Sequence, residues 1–98
     1  MRVKRTLQEI DFEWDGDKAA SNLEKHDVAF EEACEVFFDP FVQALPPREV
    51  NNEDREAVIG LTKRWRMLYV AYAWRDMIIR IISARKATKT ERRIYENQ

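Results

Sequence analysis

Between Gln8 and Trp14 the chain alternates strictly. Gln8, Ile10, Phe12 and Trp14 fall on one side of an extended backbone, and Glu9, Asp11 and Glu13 fall on the other. A period of two predicts a half-buried strand with an acidic outer face. Residues 1–7 show no such period and read as a loose basic start. Asp15 follows as a helix N-cap, and Ala19, Ala20 and Leu23 give the apolar stripe of a helix ending near His26. Phe30, Ala33, Cys34 and Phe37 stand at i, i+3, i+4 and i+7, which predicts a second helix over about 30–38. Glu31 and Glu32 suit its first turn, where the helix dipole favours acids, and Asp39-Pro40 ends it. Phe41 to Leu45 is a short apolar strand stopped by Pro46-Pro47, and residues 46–54 read as a polar loop. Three further strands are expected at about 55–62, 65–74 and 77–84. Their connections, Lys63-Arg64 and Arg75-Asp76, are short enough for antiparallel hairpins. Thr88-Lys89-Thr90-Glu91 is a capping box that opens a final helix.

The expected order is therefore β-α-α-β-β-β-β-α. Segregated strands and helices imply an α+β domain in which helices cover one face of an antiparallel sheet. With 98 residues, one domain over 1–98 is expected. Nothing approaches the roughly 18 consecutive apolar residues of a membrane span, and the basic start is not followed by the apolar run of a secretory signal. These features point to a cytoplasmic protein without a membrane partner. The single cysteine, Cys34, excludes an internal disulfide and a cysteine-based zinc site, and its place on an apolar helix face reads as packing.

Charge adds a polarity that the net value of -1 conceals. Residues 1–61 hold 7 basic and 15 acidic side chains, whereas residues 62–98 hold 10 basic and 3 acidic. Such a split suggests one surface for an anion and another for a basic partner, or mutual neutralisation across the fold. There is no zinc-spaced His/Cys/Asp cluster, no glycine-rich phosphate loop and no Gly-x-Ser-x-Gly. Acidic pairs such as Glu31-Glu32 read as solvated faces, so neither a metal nor a cofactor is expected.

The chemistry concentrates near the C-terminus. Arg80 interrupts the apolar run Met77 to Ile82, where a guanidinium is costly unless an anion or hydrogen-bond acceptor meets it. It either pairs with a helix glutamate or clamps a phosphate, whose oxygens match its planar fork. Arg85, Lys86, Lys89, Arg92 and Arg93 crowd the junction that follows, beside the amino end of the last helix. His26 is the only histidine, and hence the one side chain whose ordinary pKa suits proton transfer near neutrality. It lies beside Lys25 at a helix C-terminus. Aromatic and basic residues interleave at Trp65, Arg66, Tyr69, Tyr72, Trp74, Arg75 and Tyr95. Rings so placed can stack on RNA bases, and Arg66, Tyr72 and Trp74 share one strand face.

Phe12-Glu13-Trp14-Asp15, Lys18-Ala19, Asn22, Lys25-His26, Val28, Phe30-Glu31-Glu32-Ala33, Val36-Phe37 and Asp39-Pro40 resemble the front half of BrnT-type toxins. Arg55, Ile59-Gly60, the run Ile79-Arg80-Ile81-Ile82-Ser83-Ala84-Arg85-Lys86-Ala87-Thr88, and Glu91-Arg92 with Tyr95 resemble the back half. The resemblance covers about residues 10–96. It implies a RelE-like fold and a metal-independent ribonuclease that inhibits translation. It also implies a ribbon-helix-helix antitoxin of the BrnA kind, with DNA bound only through the complex. Asp27 stands where the family usually has Gly, and Ala29 where it usually has Ser or Thr.

The combined expectation is an endoribonuclease toxin that uses 2′-hydroxyl attack. Arg80 and Arg85 would bind the phosphate and His26 would transfer protons, with Lys25 and Tyr95 in supporting roles. Arg66, Tyr72, Trp74, Lys86, Lys89 and Arg92 would bind RNA. A non-catalytic RNA-binding module, or an antitoxin-binding corepressor, is the alternative.

Overall fold

A computed structural model describes residues 1–98. Its strands are β1 (Arg2–Leu7), β2 (Ile10–Asp15), β3 (Gln43–Val50), β4 (Glu53–Leu61), β5 (Met67–Arg75) and β6 (Ile78–Lys86). The helices are α1 (Gly16–His26), α2 (Phe30–Ala33), which continues as a 3-10 turn over Cys34–Phe38, and α3 (Lys89–Glu96). The six strands form one sheet in the order β1-β2-β6-β5-β4-β3. All neighbours are antiparallel except β2 and β6, which run parallel. The fold class is thus α+β, and the sheet is mixed.

Four local expectations are corrected. Residues 1–7 are not a loose start. They form an edge strand whose charged, mostly exposed side chains carry no hydrophobic period. It turns into β2 through Gln8 and Glu9, both at positive φ (49° and 69°), as a two-residue hairpin loop requires. The loop at 46–54 is instead a hairpin: β3 runs through an irregularity at Pro46-Pro47, and Asn51 and Asn52 turn at φ 53° and 62°. The helix over 30–38 keeps one α-helical stretch and then tightens to 3-10. That turn seats Val36 against Gly60 of β4, where an added Cβ would lie 2.9 Å from the Val36 Cβ. Finally, helices occupy both faces of the sheet. α1, α2 and the 3-10 turn cover one face, and α3 packs on part of the other.

The main core lies between the sheet and the first two helices. It contains Phe12, Trp14, Val28, Phe30, Val36, Leu68, Val70, Ile79 and Ile81. Cys34 belongs to it, donating to the Phe30 carbonyl at 3.3 Å, and burial pushes its thiol up to about 12. The opposite face holds a small cluster of Ile59, Met67 and Tyr95 under α3. Asp15 caps α1 through the Lys18 amide, and Thr88 and Glu91 form the expected capping box on α3. Asp27 ends α1 at φ 57°, a left-handed position that Asp tolerates less readily than Gly. No helix is long and apolar enough to cross a membrane.

Candidate functional site

The sheet face that carries α3 is only partly covered, and the chemistry gathers on its open part. Ala57, Ala71, Ala73 and Ser83 give this face a shallow floor. Ile82 has no partner on β5, because the register passes from Tyr72↔Ile81 to Ala71↔Ser83. This bulge reverses the alternation of β6. Arg80 and Arg85, of opposite parity in the sequence, therefore end on the same face. Three depressions follow β6, so the cations do not share one pocket. Arg80 lines one of about 230 Å³ with Arg2 and Glu13. Arg85 lines one of about 620 Å³ with Arg48, Arg55, Tyr69 and Ser83. Lys25 and His26 line one of about 220 Å³ with Lys18 and Ser83. The last two adjoin, since Ile82 and Ser83 border both.

The two expected phosphate ligands differ in state. Arg85 is fixed: it donates to Glu91 through Nη1 (2.8 Å) and Nη2 (2.9 Å), and its guanidinium lies 4.2 Å over the Tyr69 ring. Those bonds hold the Arg85 pKa above its ordinary value, and the same bonds hold the Glu91 carboxyl below the usual range. Arg80 is half-buried, with no carboxylate oxygen within 4.0 Å. Its guanidinium is the one offered to a ligand without displacing an internal anion.

The Arg85–Glu91 pair has a pH consequence. Because Glu91 ionises more readily in the folded chain, its contribution to stability is complete above its ordinary value near 4.5 and is lost as pH falls through the depressed folded value. Glu91→Gln is expected to flatten the acid side of a plot of thermal midpoint against pH, while leaving its neutral slope unchanged.

Asn22 positions the C-terminal end of α1. β2 stops pairing with β6 after Glu13↔Arg80, which leaves the edge of β6 open beyond it. The buried Asn22 side chain fills that role: Nδ2 donates to the Ala84 carbonyl (2.8 Å) and Oδ1 accepts from the Ala84 amide (3.2 Å). This lays α1 along β6 and brings the exposed Lys25 and His26 to Ser83.

Several expected site residues lie elsewhere. Arg66 donates to Glu32 (Nε, 3.1 Å) and to the Asp27 carbonyl (Nη2, 2.7 Å), so its charge is already met. Tyr72 is 6% exposed in the main core, its ring 5.0 Å from Phe37. Trp74 is half-exposed beside Tyr72 on the helix-covered face, so neither ring joins the arginines. Tyr95 donates to Asp39 at 2.7 Å, and burial together with that bond pushes its hydroxyl up to about 12. It is the residue through which α3 packs on Ile59 and Met67, and it lines none of the three depressions. Lys86, Lys89 and Arg92 are exposed, and Lys86 points to the face opposite Arg85. Reasoning from the sequence did not single out Arg48, which lies directly across β3–β4 from Arg55. Two guanidiniums in register repel unless an anion intervenes. The Arg-x-x-Asn-Asn-x-x-Arg spacing was the available signal, because a two-residue turn places such residues opposite each other.

Comparison with known proteins adds an independent line. The family described as "Ribonuclease toxin, BrnT, of type II toxin-antitoxin system" matches residues 14–91. The solved Brucella abortus ribonuclease toxin BrnT superposes with a TM-score of 0.63 at 23% identity, covering 78% of this chain and 94% of that one. At that identity it speaks for the fold alone. A search of curated proteins gave no match.

Proposed function

This chain belongs to the BrnT ribonuclease toxin family of type II toxin–antitoxin systems, and we propose that it is a metal-independent endoribonuclease that cuts RNA by attack of a 2′-hydroxyl on the adjacent phosphate, blocking translation. Such a reaction needs positive charge on the developing phosphorane and proton transfer at two oxygens. Arg80 supplies the free guanidinium. Arg85, held by Glu91 and Tyr69, supplies a rigid second one, and Arg48 and Arg55 hold the strand farther along. His26 transfers the proton, with Lys25 beside it as an electrostatic aid. The observation that carries this reading is the bulge at Ile82, which turns Arg80, Ser83 and Arg85 to one face, with Ser83 bordering the depression of Lys25 and His26. Of the residues expected to contact RNA, Lys89 and Arg92 remain exposed cations near this surface. Membership of a type II family implies an antitoxin. A ribbon-helix-helix partner that carries the DNA contacts fits that setting.

Cleavage of RNA by the purified protein in excess EDTA, leaving 2′,3′-cyclic phosphate ends, is the expected result. Cleavage that returns only with added magnesium would overturn the metal-independent mechanism. The bidentate Arg85–Glu91 pair favours one second reading, a non-catalytic corepressor in which that arginine is structural. A chain that binds its antitoxin but cuts no RNA and does not arrest growth on induction would establish that reading instead.

A further inference from the structure

We propose that β1 adds a phosphate subsite to this surface, in which Arg2 and Lys4, with Arg80, bind the phosphate of a nucleotide flanking the one that is cut. This deepens the ribonuclease reading and rests on it. Arg2 and Lys4 lie outside the matched residues 14–91. Strand register builds it. Lys4 stands opposite Glu13, Glu13 lies beside Arg80, and Arg2 stands opposite Asp15. Alternation puts all of these on the sheet face that carries α3.

Cations outnumber acids there, Arg2, Lys4, Arg75 and Arg80 against Asp11, Glu13 and Asp15. Glu13 is 3% exposed, its Oε2 accepts no hydrogen bond, and the nearest cation is Arg75 Nη1 at 3.5 Å. Arg2, Lys4, Arg75 and Arg80 thus face one buried carboxylate, and three of the four have no carboxylate oxygen within 4.0 Å. The other acids on this face are engaged. Asp11 accepts from Thr6 at 2.7 Å, and Asp15 accepts from the Lys18 amide at 3.0 Å with the Met1 amino group 3.6 Å away. A buried carboxylate among cations holds them in place at a desolvation cost. The depression lined by Arg2, Glu13, Trp14, Asp15 and Arg80 has about 230 Å³, room for a phosphate group. Since Arg80 stands on the same face of β6 as Ser83 and Arg85, the ligand that suits both places carries repeated phosphates on one strand, as single-stranded RNA does.

The test is the double variant Arg2→Ala/Lys4→Ala, whose side chains are both exposed. Its kcat/KM on an octanucleotide RNA is expected to fall about tenfold, and the dependence of log kcat/KM on log salt to flatten by roughly 0.7 to 1.4, as one or two single-strand phosphate contacts are lost. Fluorescence anisotropy with a 2′-O-methyl octanucleotide, which cannot be cut, follows the subsite independently of cleavage. Weaker binding by the variant to that probe supports the subsite even if the wild type cuts no RNA, in which case only the ribonuclease reading falls. Unchanged kcat/KM, salt slope and probe affinity in a cleaving protein would overturn the subsite and leave the ribonuclease standing. Unchanged RNA binding with loss of antitoxin binding would also overturn it, assigning the surface to a protein partner.

Discussion

Arg80→Ala is expected to lower the rate of RNA cleavage by about 100- to 1,000-fold, the usual effect of deleting one preorganised donor to a developing charge. The reason lies in which arginine is free. Arg85 commits two of its donors to Glu91 and one face of its guanidinium to the Tyr69 ring, so much of its charge is met inside the protein. Arg80 meets no carboxylate at contact distance and is half-buried, where its field on a phosphate is screened less than at the surface. His26→Ala should slow the reaction by a comparable factor, since a positioned proton carrier contributes roughly 100- to 10,000-fold. The measurement is single-turnover cleavage of one RNA by wild type and both variants, with thermal midpoints recorded beside it. His26 is exposed, so its removal should leave the midpoint in place. Rates within twofold of wild type in either variant would strip that residue of its role.

Glu32→Ala should have the largest effect on stability, a loss of about 3–5 kcal/mol, because it strands a guanidinium in a largely covered site. Glu32 is the hub between α2 and the β4–β5 connection. Its Oε2 accepts from Thr62 Oγ1 (2.9 Å) and Arg66 Nε (3.1 Å), and its Oε1 lies 3.0 Å from Arg66 Nη2. The side chains of Glu32 and Arg66 are 9% and 17% exposed, so water replaces little of what is removed. For a chain of this size each kcal/mol moves the thermal midpoint by roughly 4–8 °C, so thermal unfolding followed by circular dichroism should show a drop of more than about 10 °C. Glu32→Leu/Arg66→Met removes both charges together and should recover much of the loss. A single variant that melts within a few degrees of wild type would mean that the pair is solvated and nearly neutral in its effect.

Arg66 illustrates where local pattern misleads. On a strand bearing Tyr72 and Trp74 it reads as part of a nucleic-acid face, yet the acid that neutralises it lies 34 residues away on α2. Tyr95 is similar, a hydroxyl near a basic helix whose partner, Asp39, sits 56 residues earlier. Neither assignment was within reach of spacing, because the neutralising groups become neighbours only on folding. Features with local causes were legible: the Asp15 cap, the Thr88–Glu91 capping box, the alternating Ile10–Trp14 strand and the hairpins that join β4, β5 and β6.

The alternation along β2 was right about Phe12, Trp14 and the exposed Asp11, and wrong about Glu13. Glu13 is buried because a parallel neighbour, β6, lies beside it and brings Arg80 and Arg75 to that face. The order of residues by itself determined the element types, the apolar faces and the presence of a cationic C-terminal segment, since periodicity, capping and composition act over a few neighbouring positions. The tertiary structure alone decided which cations stay free. That choice depended on the parallel β2–β6 pairing, the bulge at Ile82 and the seating of α1 by Asn22. Each is a contact between distant segments, and charge neutralisation is a property of such contacts.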